Sequence, residues 1–295
     1  EPESKLRCTE VKREPGGGGI NVSKALKKLG CSSIALFPSG GNNGNMLCQL
    51  LQDMEIPFQA FNSSEETREN WIVLEEAGNL QYRFTFPGRP IPEQCIKRLI
   101  DQLAAFSPTY VIASGSLPAG LPDYFYGLIV KKANALGARC IIDTSGNALQ
   151  ALKGKHSFLI KPNLSELCSM LGTSHLNKND IPEAAQQAIR DGYAEMIALS
   201  MGATGAWLVT ATEKYFAAAP RVEKKSTVGA GDSMLAGITY ALQKQMDLAD
   251  VIAMGVACGS AATMNPGTEL FHADEAFALF EAIRISAGKQ RPMKD

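Results

Sequence analysis

Grouped metal ligands are the first thing this sequence lacks. Its 295 residues include three histidines, His156, His175 and His272, none at ligand spacing from another or from a cysteine. The seven cysteines (Cys8, Cys31, Cys48, Cys95, Cys140, Cys168 and Cys258) are scattered without a CxxC pair. That distribution argues against a disulfide framework and reads as reduced thiols in a cytosolic chain. No apolar run approaches the roughly 18 residues of a spanning helix, and no secretory leader opens the sequence. The expected location is therefore cytoplasmic, with no membrane partner. Neither sign of charge dominates: 29 basic residues against 30 acidic ones give a formal charge of -1, no footprint for nucleic acid. A Walker A loop, the protein-kinase signature set and a complete dinucleotide fingerprint are all missing, the last of which weighs against a Rossmann oxidoreductase.

What is present is an α/β pattern with material for one sizeable core, 45% of residues being hydrophobic. From about Ser107 onward, short apolar runs (Tyr110 to Ile112, Cys140 to Ile142, Phe158 to Ile160, Met196 to Leu199) alternate with helical stretches such as Tyr124 to Leu136 and Ile181 to Asp191. Continuous apolar runs between helices predict buried parallel strands in a doubly wound layer. The first half adds a helix near Ile20 to Leu29, a strand near Ile34 to Phe37 and a helix near Asn45 to Met54. From Gly229 to Ala287 the pattern is almost wholly helical.

One segment departs from this scheme. Asn70 to Glu75 and Leu80 to Phe86 read as two strands joined by a turn, and in the second Leu80, Tyr82, Phe84 and Phe86 alternate with polar residues. That alternation predicts a half-buried antiparallel hairpin, either a lid or intersubunit clasp or an ordinary surface hairpin. Residues 15–66 and 88–295 are accordingly assigned to the α/β domain, and 1–14 with 67–87 to the lid.

Three motifs carry chemistry. In Ser226 to Ser233, small residues precede a helical run, so backbone N–H groups can approach an anion where the helix dipole adds attraction. A carboxylate there, Asp232, makes sense as a base for an attacking hydroxyl beside a held phosphoryl group, or more plainly as a helix cap. Gly16 to Gly19 open a second helix, with Asn21 able to donate to and accept from sugar hydroxyls. The run Lys161 to Glu166 follows a strand end, where ligands bind in α/β folds; it suits phosphate and water-held Mg²⁺, or simple capping of the next helix.

Together these residues resemble the ribokinase/PfkB superfamily of carbohydrate kinases. The glycine-rich segment Gly16 to Gly30 and the run Thr227 to Ser233 match its two signature regions. Ser114 to Gly120 and Asp143 to Gly146 look like its hexose-phosphate branch, and Lys5 to Cys8 with Thr67 to Asn70 look like the PfkB-type bacterial 6-phosphofructokinases. The resemblance implies a three-layer α/β/α ribokinase-like fold with a mostly parallel central sheet and a small β lid. It implies ATP-dependent phosphorylation of fructose 6-phosphate, with fructose 1-phosphate or tagatose 6-phosphate as alternative substrates and a non-catalytic binding protein as the rival of another class.

The same resemblance distributes roles. Asp232 would be the base, and Gly229, Ala230 and Gly231 the anion hole. Lys161, Asn163, Ser200, Gly202, Thr227 and Asn265 would line the ATP site, with Glu166 near Mg²⁺ through water and Asp143 a lesser metal candidate. Gly17, Gly18, Asn21 and Ser116 would hold the sugar, and Lys5, Arg7 and Arg68 its existing phosphate, for which arginine is chemically apt. Carbonyls of Ala262 to Gly267 would serve a monovalent cation such as K⁺. A homodimer through the lid is the expected assembly. Family members carry a strand and a sugar-binding aspartate upstream of the residue matching Lys5. This sequence opens at Glu1 without either, so one strand of the sheet is expected to be missing.

Overall fold

The computed structural model describes residues 7–75, 78 and 80–290, the stretch 285–290 by backbone alone. The apolar runs form strands as expected: β5 (Tyr110–Ser114), β6 (Arg139–Asp143), β7 (Ser157–Ile160) and β8 (Ala194–Ser200) lie parallel and adjacent. Their side chains alternate between two cores. Ile141, Leu159 and Ala198 face one layer with helices α1 (Gly18–Lys28), α8 (Ala230–Gln243), α9 (Leu248–Thr263) and α10 (Ala273–Gln290). Cys140, Ile142, Ile160 and Ile197 face the other, with α3 (Glu93–Gln102), α4 (Phe125–Ala135), α5 (Gly146–Gln150), α6 (Leu164–Met170) and α7 (Ile181–Arg190). Coverage on both faces is why these strands are apolar throughout rather than alternating.

Two features of the sheet were not foreseen. Beyond β8, the strands β9 (Gly205–Val209) and β10 (Lys214–Ala218) run antiparallel, ending the six-stranded sheet in a hairpin rather than continuing the βαβ succession. At the other side β1 (Ala35–Ser39) and β2 (Phe58–Asn62) form a separate parallel pair, connected through α2 (Gly41–Asp53). Among the described residues no ladder bond joins this pair to β5. It closes instead over a small cluster of its own, Ile20, Ala35, Phe37, Leu51 and Ile56.

The inserted hairpin is present as β3 (Asn70–Glu75) and β4 (Leu80–Thr85), but within one chain it is exposed on both faces rather than half-buried. Register places Trp71 opposite Phe84 and Val73 opposite Tyr82, so these residues and Leu80 share one apolar face. In the single chain that face is bare: Trp71 is 54%, Tyr82 48%, Phe84 49% and Leu80 51% exposed. The opposite face, bearing Ile72, Leu74, Gln81 and Arg83, is also largely exposed, with Ile72 at 40% and Leu74 at 56%, and touches the body through the Arg83 bond to Thr227. The half-burial expected of Leu80, Tyr82, Phe84 and Phe86 is therefore not supplied within one chain. Residues 7–14, expected with the lid, carry no strand, and Glu14 binds Thr268 of the body instead.

Helices α8 and α9 approach closely because glycines meet at their crossing. A Cβ on Gly237 would stand 2.6 Å from the Met254 carbonyl oxygen and 2.9 Å from Cys258 Sγ, and one on Gly255 would stand 2.6 Å from Ile238 Cγ1. No such contact is tolerable, so glycine is required at both.

Candidate active site

The N-terminus of α8 is built by a left-handed residue. Gly229 has φ 73°, and a Cβ there would also strike Leu270 Cδ2 at 2.4 Å, so only glycine turns the chain into this helix. Ser233 N–H donates to Gly229 O at 2.8 Å, closing the first turn, and Ala230 N–H reaches Thr227 O at 3.4 Å. The N–H groups of Gly231 and Asp232 are among those a helix start leaves free.

Asp232 lies in that first turn and is held from two other elements. Asn21 Nδ2, in the first turn of α1, donates to Asp232 Oδ2 at 2.9 Å. Ser114 Oγ, at the C-terminal end of β5, donates to Asp232 Oδ1 at 3.2 Å. The two donors meet because Gly18 lets α1 lie against β5: a Cβ on Gly18 would be 2.3 Å from Ser114 Oγ. Burial pushes the Asp232 carboxyl above its ordinary value, with repulsion from Asp143 adding, while Asn21, Lys161 and Ser114 oppose the rise. A raised but opposed carboxylate suits a base that must take up a proton and release it. The Asn21 Oδ1 atom is buried without a hydrogen-bond partner, an acceptor facing the site with capacity to spare.

A second charged pair flanks the loop. Lys161 Nζ is 3.1 Å from Asp143 Oδ2, with side chains only 8% and 19% exposed. The position of a Cβ on Gly231 lies 3.3 Å from the same Nζ, so the ammonium sits directly against the anion loop. Burial raises the Asp143 carboxyl, and Lys161 pulls it back down. Nearby, Lys24 of α1 is buried and donates to Pro15 O at 3.2 Å and Thr268 O at 3.0 Å, which ties the glycine-rich entry to the loop after α9. Burial lowers its ammonium below the usual lysine value, against the pull of Glu14.

Beside Lys161 the chain opens onto a cleft of about 510 Å³ whose lining includes Asn163, Ile181, Ser200, Met201, Gly202 and Thr204. Asn163 caps α6: its side chain accepts from Glu166 N–H at 2.9 Å, and Glu166 Oε2 accepts from Asn163 N–H at 2.8 Å. This reciprocal capping box was the plainer of the two readings of the motif. Among the described residues no group of three or more His, Cys, Asp and Glu gathers to hold a metal ion. Thr227 accepts from Arg83 Nη2 of the hairpin at 2.9 Å.

A family model, pfkB family carbohydrate kinase, matches residues 1–274. The chain belongs to the pfkB family of carbohydrate kinases. Among curated relatives, the ATP-dependent 6-phosphofructokinase isozyme 2 of Escherichia coli (strain K12) is 39% identical over 276 residues, covering 93% of this chain and 89% of the relative. A 1-phosphofructokinase of Bacillus subtilis (strain 168) is 32% identical over 260 residues, covering 87% and 84%. Among solved structures, phosphofructokinase-2 from Escherichia coli in complex with potassium superposes with a TM-score of 0.92 at 38% identity, covering 96% of this chain and 93% of that one. These findings agree with the ribokinase-like α/β fold expected from the motifs.

Within this pfkB-family chain, the candidate residues fall into three groups. Asp232, Gly229, Ala230, Gly231, Asn21, Gly18, Lys161 and Asp143 converge at the α8 N-terminus. Asn163, Ser200 and Gly202 line the adjacent cleft. The others are more scattered. Arg7, Arg68 and Ser116 are exposed and make no ion pair among the described residues, and Lys5 lies outside them. Asn265 is turned inward, donating to Ala261 O at 3.2 Å and Glu275 Oε2 at 3.1 Å. Sequence reasoning did not single out Ser114, Lys24 or Arg83. For Ser114 the available signal was its place at the end of a buried strand; for Lys24, its place one turn after Ile20 and Asn21, among residues of α1 that are buried, unlike Lys27 and Lys28 near the helix end.

Proposed function

We propose that this chain transfers the γ-phosphoryl group of ATP to a primary hydroxyl of fructose 6-phosphate, giving fructose 1,6-bisphosphate and ADP. The observation carrying the reading is the Asp232 carboxylate, gripped by Asn21 and Ser114 at a helix start whose N–H groups face outward. Asp232 takes the proton of the sugar hydroxyl as its oxygen attacks the γ-phosphorus, and the bond to the ADP oxygen breaks. The N–H groups of Gly229, Ala230 and Gly231 hold the moving phosphoryl oxygens, with Lys161 supplying charge beside Gly231. The unpartnered Asn21 Oδ1 accepts from a sugar hydroxyl, Gly17 leaves open space for the ring, and Gly18 serves the sugar site by letting α1 lie against Ser114. Arg68, Arg7, Lys5 and Ser116 are assigned to the sugar's own phosphate and neighbouring hydroxyls, and Asn163, Ser200, Gly202, Thr227 and Asn265 to the nucleotide.

The donor set suits Mg²⁺ that arrives with the nucleotide, because Glu166 and Asp143 offer only separate, already engaged carboxylates. Glu166, through water, and Asp143 would be the residues beside the ion, which would supply positive charge against the phosphates. For K⁺ the Ala262 to Gly267 stretch offers Met264 O and Asn265 O, since Thr263 O and Gly267 O already accept from Ser226. The bare apolar hairpin face favours a homodimer through the lid. No described helix is long and apolar enough to cross a membrane, and a cytoplasmic setting fits a metabolite kinase.

The 1-phosphofructokinase relative keeps fructose 1-phosphate as a second substrate. ADP release with MgATP and fructose 6-phosphate, beside fructose 1-phosphate and tagatose 6-phosphate, tests the reading. A clear preference for the first is expected, and preference for another would change the substrate while keeping the kinase.

A further inference from the structure

The peptide between Gly115 and Ser116 is held by a side chain that the mechanism above does not use. Tyr126, in the first turn of α4, is buried, and its hydroxyl donates to Gly115 O at 2.6 Å. Gly115 N–H is tied as well, donating to Asp143 O at 2.8 Å across the ends of β5 and β6. Gly115 needs such ties. Its φ of 118° favours glycine, and a residue without a Cβ lets the following peptide turn over at little cost. Burial pushes the Tyr126 phenol up to about 12, so the hydroxyl keeps its proton and remains a donor at neutral pH. The direction of this bond decides the rest. In a trans peptide the C=O and the next N–H point opposite ways. Helix α4 lies in the layer on one face of the sheet, α1 and α8 in the layer on the other. With Gly115 O drawn toward α4, the Ser116 N–H points to the side of α1 and α8, where Asp232 sits. The neighbours fix the place: Ser114 Oγ donates to Asp232 Oδ1 at 3.2 Å, and a Cβ on Gly115 would stand 3.9 Å from Gly18 N. Ser116 N–H has no acceptor among the described residues, and Ser116 is exposed.

We propose that Tyr126 is a positioning residue for the sugar phosphate: its hydroxyl fixes the Gly115–Ser116 peptide so that the Ser116 N–H donates to an oxygen of the bound sugar phosphate. This inference rests on the kinase reading above and adds to it a backbone donor set from the opposite layer of the fold. Without the phenol oxygen, Gly115 O would face α4 as a buried acceptor with no partner, and the peptide would turn to bring it to water. The Ser116 N–H would then leave the sugar. That hydrogen bond is made equally before and during transfer, so its loss weakens binding and spares the chemical step.

The test compares the full chain with Tyr126→Phe, which removes one oxygen and keeps the ring. Tyr193→Phe is the matched control, because Tyr193 is also buried and its hydroxyl donates to a backbone carbonyl, Met170 O at the end of α6, at 3.3 Å. Tyr126→Phe is expected to raise the KM for fructose 6-phosphate about tenfold, the worth of one hydrogen bond, with kcat held within about twofold. Calorimetry should show the same loss of affinity for the sugar phosphate and none for MgADP. Tyr193→Phe should lower Tm by a similar amount and leave KM alone. A crystal structure of Tyr126→Phe should show the Gly115 carbonyl turned away from α4. An unmoved peptide, an unchanged KM, or an equal rise in KM for Tyr193→Phe would each overturn the role. If the wild type bound none of fructose 6-phosphate, fructose 1-phosphate and tagatose 6-phosphate while the peptide still turned in Tyr126→Phe, the hold on Gly115 would stand and the substrate reading would fall.

Discussion

Asn21 Nδ2 donates to Asp232 Oδ2 at 2.9 Å, joining the first turns of two helices whose sequences lie 211 residues apart. Each half of the chain thus supplies part of one site: the glycine-rich N-terminal motif brings the donor, and the C-terminal motif brings the carboxylate. Neither motif makes the site alone.

Asp232→Asn should separate catalysis from stability. Loss of the base is expected to lower kcat by roughly two to four decades with ATP binding retained. Because burial raises the Asp232 carboxyl, the fold favours its protonated form. The stability this confers is present below the ordinary carboxylate value of about 3.9 and is lost as pH rises through the folded-state value. The asparagine variant should therefore show a higher Tm than the wild type at neutral pH, the gap closing under acid. Calorimetric melts from acid to neutral pH read this directly.

Ser114→Ala removes one of the donors that hold the Asp232 carboxyl down. The acid limb of kcat/KM should move to higher pH, with the plateau little changed. A pH–rate profile checks it; an unmoved limb would mean that the titrating group is not Asp232.

Lys161 and Asp143 should prove strongly coupled. Lys161→Met leaves a buried carboxyl without its partner, at a cost of about 3 kcal/mol, the low end for such a break. Asp143, already raised by burial, escapes the full penalty by taking up a proton, so the loss should grow as pH rises. The double variant Lys161→Met/Asp143→Asn should regain much of the stability. Urea melts of both singles and the double complete the cycle.

The hairpin face of Trp71, Tyr82 and Phe84 should bury itself against a second copy. Phe84→Asp is expected to shift sedimentation toward monomer, while Gln81→Asp, on the other face, should leave assembly unchanged.

Much of this was legible beforehand because the decisive signals are local. Small residues before a helix announce Gly229 and its neighbours, and unbroken apolar runs announce β5 to β8, since each depends on residues adjacent in sequence. The edge pair β9 and β10 was missed because Gly205 to Val209 offers no polar alternation to set it apart from a buried parallel strand. Glu166 kept two readings because a capping box and a metal-side carboxylate have the same spacing. Ser114, Lys24 and Arg83 were not legible: each has a partner far off in sequence, 118, 244 and 144 residues away, that only the closed fold brings near. The hairpin's alternation was read correctly as a pattern, but alternation does not say which face the rest of the chain covers.

The glycine contacts between α8 and α9 divide the molecule mechanically. With Gly237 against the Met254 carbonyl and Gly255 against Ile238, the helix bearing Asp232 has no slack in which to tilt or slide. The carboxylate proposed as the base thus rests on an anvil. If the hairpin is the lid, movement around a substrate is expected of it, joined to this anvil at Arg83 and Thr227, so substitutions in the helix pair should spoil alignment and substitutions at the hairpin base should change timing.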